Sequence, residues 1–501
     1  MDSLDFIHSL SLGFSVSLTP ENLFFCLIGT VVGTAIGVLP GLGPTATISL
    51  LLPITFRMEP VSAIIMLAGI YYGAMYGGSI TSILIKIPGE AASVITCIDG
   101  YEMARRGRAG AALGISAFGS FIAGILSTLG IALIGPPLAS VAYIFGPVEQ
   151  AALVVLGLTM VAMVSSGPVL NAFISVMLGL LASTVGTDLI TGVPRFTLGI
   201  SEFSDGINIA AMAMGLFGVS ELLVLAEAKL SAQSFVAQPR GLRELLPNRE
   251  DWKRSAMPIA RGSGIGFFLG LLPGAGLILA PFASYVIEKR LSRRADEFGQ
   301  GAIEGVAGPE SANNAAAQSG FVPLFSLGIP ANAVMGVMLG ALMIKGVVPG
   351  PQLATTNPSL FWGTITSMFI GNLMLIVLNI PLVGVFVQLL RIPQYALSPL
   401  IILFCVVGAY SLDNSTFGVG LMVAFGVIGY LMRKAQYDPA PFLIAFVLGQ
   451  IFETSFRQGL LMGQGHLTIF VERPISAVLL AVSAIVLAAP LVRRLVRQAQ
   501  A

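Results

Sequence analysis

The sequence predicts an all-α polytopic membrane protein of about eleven full transmembrane helices plus two broken-helix hairpins, arranged as an inverted-topology repeat. Three observations carry this. Hydrophobic residues fill 55% of the 501 positions and charged residues 10%, and mean hydropathy is +0.89, a balance that the polar side chains of a water-soluble domain could not cover. Long apolar segments recur along the chain, separated by short charged stretches. Finally, a Pro-Gly interruption in the first such segment returns in the second half: Gly33-Thr-Ala-Ile-Gly37-Val-Leu-Pro40-Gly41-Leu-Gly43-Pro44 is echoed by Gly266-Phe-Phe-Leu-Gly270-Leu-Leu-Pro273-Gly274-Ala-Gly276.

Taken in order, apolar segments fall near 22–56, 61–87, 110–134, 148–165, 169–187 and 207–227. A charged stretch at 228–257 follows, and then further segments near 259–288, 314–345, 360–390, 397–412, 417–432, 441–462 and 475–492. The 58 glycines and 29 prolines suit helices that pack closely and kink. Basic residues gather at Arg105, Arg106 and Arg108, in the 228–257 linker, at Lys289 to Arg294, at Arg433 and Lys434, and at Arg493, Arg494 and Arg497. The positive-inside rule places all of them in the cytoplasm. Segment 259–288 then begins and ends inside, so its Pro-Gly break must turn the chain back as a hairpin. Its repeat at 22–56 becomes a hairpin too, which puts the N-terminus outside and the C-terminus inside. The first twenty residues hold Asp2 and Asp5 but no Lys or Arg, so the first apolar segment is expected to stay in the mature chain rather than leave as a signal peptide. The expected organisation is a first transmembrane repeat at 1–227, a cytoplasmic amphipathic linker at 228–257, a second repeat at 258–462, and an extra helix with a basic tail at 463–501.

A second matched pair supports the duplication: Gly78 to Glu90, ending Ile87-Pro88-Gly89-Glu90, against Gly320 to Asn332, ending Ile329-Pro330-Ala331-Asn332. Equivalent loops carry opposite charge bias, Arg57 alone against four basic residues and Lys345 alone against three, so they should lie on opposite sides of the membrane.

Each break has two readings. Pro40, Gly41, Gly43 and Thr45, with Pro273, Gly274 and Gly276, free backbone groups that either line a ligand site or merely kink a packed helix. Occurring twice, they favour the site. Pro88 and Gly89, and Pro330 and Asn332, should each end one half-helix and start another, aiming amides at an anion. Ser79, Thr81 and Ser82 add hydroxyls, and Asn313 and Asn314 are expected to open the matching segment. Their oxygens suit Na⁺ and their N–H and O–H groups suit carboxylates; the alternative is hydrogen bonding between helices. Asn313, Asn314 and Ser79 are the candidate Na⁺ ligands. Lys86, in an apolar run, either meets a substrate carboxylate, pairs with Glu90, or snorkels to an interface. Glu453 and Arg457, four apart, should pair with each other. Asp413, Asn414 and Ser415 read as a turn.

No phosphate loop, nucleophile-base set or metal cluster is visible. Cys26, Cys97 and Cys405 have no paired spacing, His8 and His466 have no ligand-like neighbours, and a net charge of +1 gives nucleic acid no footprint. No cofactor is expected beyond Na⁺ as a coupling ion, and no enzymatic activity.

Several stretches resemble the large membrane subunit of the tripartite tricarboxylate transporter family: Gly37–Thr45, Tyr71–Ser79, Ile87–Ser93, Asp99–Arg105, Gly107–Ile115, Pro309–Ala317, Leu327–Pro330, Gly408–Ser411 and Gly429–Lys434. The likeness runs from about residue 20 to about residue 475. It implies a bacterial inner-membrane importer of tri- or dicarboxylates, coupled to Na⁺ or H⁺. It also implies two partners, a small membrane subunit of about four helices and a periplasmic substrate-binding protein. Lys86 departs from the pattern, since many members carry Asn there. Paired hairpins in an inverted repeat suit an elevator motion. A carboxylate channel or scaffold subunit without ion coupling is the alternative reading, and a membrane enzyme a remote third.

Overall fold

In a computed structural model the described residues are 3–39, 43–142, 144–165, 168–188, 191–227, 241–274, 276–389 and 394–499. The principal helices are α1 (Ser3–Ser17), α2 (Pro20–Val38), α3 (Pro44–Thr55), α4 (Pro60–Ile85), α5 (Thr96–Met103), α6 (Ala109–Ala142), α7 (Pro147–Val164), α8 (Val169–Ser183) and α9 (Ile209–Glu227). The second half holds α10 (Arg249–Gly270), α11 (Gly276–Leu291), α12 (Glu304–Ser319), α13 (Phe321–Leu327), α14 (Ala333–Ile344), α15 (Pro358–Asn379), α16 (Val383–Leu389), α17 (Gln394–Asp413), α18 (Thr416–Lys434), α19 (Pro439–Met462) and α20 (Pro474–Ala499). A two-stranded ribbon, β1 (Gly186–Thr187) and β2 (Pro194–Arg195), pairs antiparallel between α8 and α9. Among the described residues seven helices are long and apolar enough to cross a membrane, with several shorter apolar helices beside them.

Local chemistry sets the helix starts. Proline opens α2, α3, α4, α7, α15 and α19, where its missing N–H costs nothing. Asn248 and Asp251 form a capping box at the head of α10, so the charged residues from Arg249 to Arg254 are the first turns of that helix. The short helical turn at Leu242–Leu245 sits on the start of α6, where Gly110 and Gly114 leave room for its backbone.

The two halves share one packing device. Gly29, Gly33 and Gly37 of α2 lie against the backbone of Met66, Ile70 and Ala74 of α4. Gly262, Gly266 and Gly270 of α10 lie in the same way against Gly308, Ala312 and Ala316 of α12. The glycines stand 233 residues apart and their partners 242, the two offsets at which the sequence motifs recur. Helices in lipid gain nothing from burying apolar surface against one another, so close backbone approach at small residues is the force that joins them.

Two boundaries differ from the sequence-based expectation. The helix expected near 314 begins at Glu304, ten residues earlier, so Asn313 and Asn314 lie in its second half instead of opening it. Hydropathy misses this stretch because it contains Glu304, Glu310, Asn313 and Asn314, all buried. α1 was also unannounced; its Gly13 fits against Trp362 of α15. Glu453 and Arg457 do pair, at 2.7 Å, within a larger cluster containing Arg195 and Asp188.

Candidate functional site

Four interruptions in the helices build the site. α2 ends at Val38 and α3 starts at Pro44 after Gly43; Pro40 and Gly41 lie outside the described residues. α4 ends on Lys86, whose φ of 59° is left-handed, and Glu90 then starts the next turn, its carboxylate accepting from the Ala92 N–H at 2.8 Å. α10 stops at Gly270, and Gly274 (φ 90°) turns the chain toward α11. α13 ends on Gly328 (φ 70°), and Asn332 caps α14 by accepting from the Met335 N–H at 3.1 Å. The sequence expectation that Ile87–Glu90 and Ile329–Asn332 each end one half-helix and begin another is therefore met.

The four breaks meet. Gly43 and Thr45 of the first, Glu90 of the second, Gly274 of the third and Asn332 of the fourth all line one cavity of about 290 Å³, bounded by Val161 of α7, by Ser165 just beyond its end, and by Asp438 and Pro441 at the head of α19. The Gly274 N–H donates to the Ala331 carbonyl at 2.7 Å, tying the third break to the fourth. Gly89 has no space for a side chain because the Gly37 carbonyl and Gly78 stand against it, which ties the second to the first.

The second and fourth breaks are also held by the other half of the molecule. The Asn313 amide donates to Glu90 at 3.1 Å, and the Asn332 amide donates to the Tyr71 hydroxyl at 2.8 Å. Asn332 stands 242 residues after Glu90, and Asn313 stands 242 after Tyr71, so the two bonds join positions at the same offset.

Near Glu90 lies a buried carboxylate that was not among the candidates of the sequence analysis. Glu310, fully buried on α12, accepts hydrogen bonds from Ser79 of α4, Thr96 of α5 and Ser116 of α6, the last at 3.0 Å. No cation pairs with it among the described residues. A carboxylate inside a membrane core without a counter-charge is costly, and hydroxyl donors only partly offset that cost. The signal was present: no Lys or Arg occurs between Arg294 and Lys345. Further along α12, Asn314 donates to Ser120 at 2.7 Å and Gln318 donates to Asn372 at 3.0 Å. The side-chain oxygens of Asn313 and Asn314 are buried without a hydrogen-bond partner.

The remaining candidates are placed as follows. Ser79 faces Glu310 and Thr81 bonds back to the Gly78 carbonyl, so neither lines the cavity. Pro88, Pro273 and Pro330 sit within the breaks, and Gly276 packs on the Leu269 backbone. Lys86 does not pair with Glu90; it is exposed, with its ammonium 5.4 Å from the centre of the Tyr101 ring. The position 242 residues later is Gly328, in the same left-handed conformation, and glycine or asparagine adopts that conformation at little cost. Lys86→Gly is thus expected to raise stability by up to about 1 kcal/mol, read as a higher unfolding temperature in detergent; a lower one would refute the backbone explanation.

Among the described residues the cavity lining offers amides, hydroxyls and two carboxylates, Glu90 and Asp438, and no basic side chain. That arrangement can bind and orient a polar ligand and a cation; it holds no nucleophile paired with a base.

Comparison with known proteins places the chain. The family described as "Tripartite tricarboxylate transporter TctA family" matches residues 23–444. An "Uncharacterized 52.8 kDa protein in TAR-I ttuC' 3'region" of Agrobacterium vitis is 50% identical over 479 residues, covering 96% of this chain and 95% of that one. An "Uncharacterized protein in TAR-II ttuC' 3'region" of the same organism is 51% identical over 215 residues, 43% of this chain and 89% of that one. No solved structure matches. The chain belongs to the tripartite tricarboxylate transporter TctA family.

Proposed function

We propose that this chain is the large membrane subunit of a secondary transporter that imports tri- or dicarboxylates across a bacterial inner membrane, coupled to Na⁺ or H⁺. The observation that carries this reading is the convergence of all four breaks on one 290 Å³ cavity, because broken helices facing each other inside a bilayer are how such carriers hold an anion and its coupling ion. Family membership supports the carboxylate and the partners, a small membrane subunit and a periplasmic binding protein.

The matched glycine contacts at offsets of 233 and 242, and the paired bonds Asn313 to Glu90 and Asn332 to Tyr71, support an inverted repeat. In this reading the N-terminus is periplasmic and the C-terminus cytoplasmic. By the positive-inside rule Arg108, Arg254, Arg261 and Arg433 face the cytoplasm in this reading. An elevator motion would carry the cavity between the faces. Candidate Na⁺ donors are Asn313, Asn314 and Ser79, with the two unpartnered amide oxygens available to a cation.

Uptake of labelled citrate and of simpler dicarboxylates is measured in proteoliposomes holding the complete transporter, with and without the binding protein and a Na⁺ gradient. Accumulation that needs both the binding protein and a cation gradient is expected. Passive flux without either would favour the channel reading, and no uptake of any carboxylate would sink the proposal.

A further inference from the structure

Asp438 stands where two cavities meet. It lines the central cavity together with Glu90 and Asn332, and it also lines a second, wider cavity of about 600 Å³ with Arg433, Gln436, Tyr437, Phe217 and Pro168. Between the two, the Ser165 hydroxyl donates to Asp438 at 3.0 Å, and Asp438 also accepts from the Ala440 N–H at 2.9 Å as the cap of α19. The Ser165–Asp438 contact, from the end of α7 to the residue before α19, therefore lies at the meeting of the two spaces.

One wall of the second cavity is firmly built. α18 ends with the Tyr437 N–H on the Met432 carbonyl at 2.8 Å and the Gln436 N–H on the Arg433 carbonyl at 3.1 Å, with Gln436 in the left-handed region at φ 61°. The Asn171 amide of α8 holds the Ala435 and Gln436 carbonyls at 3.3 and 3.2 Å. Arg433 is thus presented from a fixed turn. Among the described residues Glu221 is its one ion-pair partner, while the neighbouring Lys434 is taken by Glu227. A guanidinium carries five N–H donors and one carboxylate accepts at most two in a fork, which leaves Arg433 able to take a second anion.

Among the described residues the central cavity has no basic lining residue, and Arg433 lines the cavity on the other side of Asp438, so in this reading an anion meets its first fixed positive partner after passing Asp438. We propose that the carboxylate substrate leaves the central cavity past Asp438 and is held at a release site built around Arg433 before reaching the cytoplasm. This rests on the transport reading and orientation given above.

The test is counterflow of labelled citrate through the complete transporter, in everted membrane vesicles that present the cytoplasmic face and in right-side-out vesicles that present the outer face. Arg433→Gln is expected to raise the half-saturating citrate concentration at the cytoplasmic face about tenfold, the loss of one charge-assisted hydrogen bond worth roughly 1.4 kcal/mol. At the outer face the value should stay within about twofold. Arg433→Lys should recover part of the loss, and Glu221→Gln, which releases Arg433, should shift the cytoplasmic value the opposite way. Equal shifts at both faces, or matching defects in Arg433→Gln and Glu221→Gln, would mean that the ion pair only braces α18 against α9 and would overturn the release site. If Arg433→Gln fails to insert, the direction of the Glu221→Gln shift decides alone. Wild-type vesicles that move no carboxylate at either face would remove the transport reading and this proposal with it; normal wild-type counterflow with an unchanged cytoplasmic value in Arg433→Gln overturns the release site alone.

Discussion

Gly33→Leu is expected to abolish assembly of the folded protein, with no monodisperse species recovered in detergent and no uptake. A methyl group on Gly33 would already lie 2.8 Å from the Ile70 Cα, and leucine adds three more carbons to a gap closed by backbone on the far side. A side-chain neighbour could rotate away, but a helix backbone must move as a whole. The cost therefore exceeds the about 1–3 kcal/mol usual for overpacking a core. Gly266→Leu should fail in the same way, because its added methyl would meet the Ala312 Cα at 2.7 Å. Gly264, two residues earlier on α10, is the control: nothing lies within 4 Å of its added methyl, and Gly264→Ala should leave stability unchanged or raise it by about 0.5–1 kcal/mol, as alanine does in a helix. Size-exclusion profiles and unfolding temperatures of the three variants give the answer. Intact Gly33→Leu would mean that α2 and α4 tolerate a wider spacing than the structure shows.

Those glycines also mark how far the sequence could be read. The four-residue spacing of Gly29, Gly33 and Gly37 is visible in the chain, and so is its repetition 233 residues later, because proline and glycine announce breaks and close approaches through backbone geometry alone. What they touch was hidden: α4 and α12 reveal themselves as partners only when folded. The start of α12 escaped for a different reason. Hydropathy scores Glu304, Glu310, Asn313 and Asn314 as polar, yet each is buried, Glu304 by pairing with Arg254 at 2.7 Å and Glu310 by its hydroxyl donors. Asp438 looked like an ordinary helix cap before Pro439, and it is one; its second position, at the meeting of two cavities, depends on α7, which is 273 residues away at Ser165.

Glu310→Ala is the other large effect expected. Glu310 gathers Ser79, Thr96 and Ser116 from three helices, so removing it takes the acceptor from three hydroxyls and opens a void where the side chain stood. Ser79 has a second acceptor, the Met75 carbonyl at 3.0 Å, and can turn to it. Thr96 and Ser116 show no such alternative acceptor among the described contacts, and each buried orphan costs about 1–3 kcal/mol. A loss of about 3–5 kcal/mol follows, large against the total stability of most folds. Thr96→Val alone should cost about 1–2 kcal/mol, but in the Glu310→Ala background less than about 1 kcal/mol, since its partner is already gone. Additive losses would show that Thr96 and Glu310 act separately. Glu310→Gln separates shape from charge: it keeps the volume and one acceptor oxygen, and the hydroxyls can turn to suit it. The folded protein should therefore be recovered, while citrate uptake in proteoliposomes falls at least about tenfold if the buried charge serves the coupling ion. Undiminished uptake in Glu310→Gln would assign this carboxylate to packing, and the cation would then have to be held by the unpartnered amide oxygens of Asn313 and Asn314 without it.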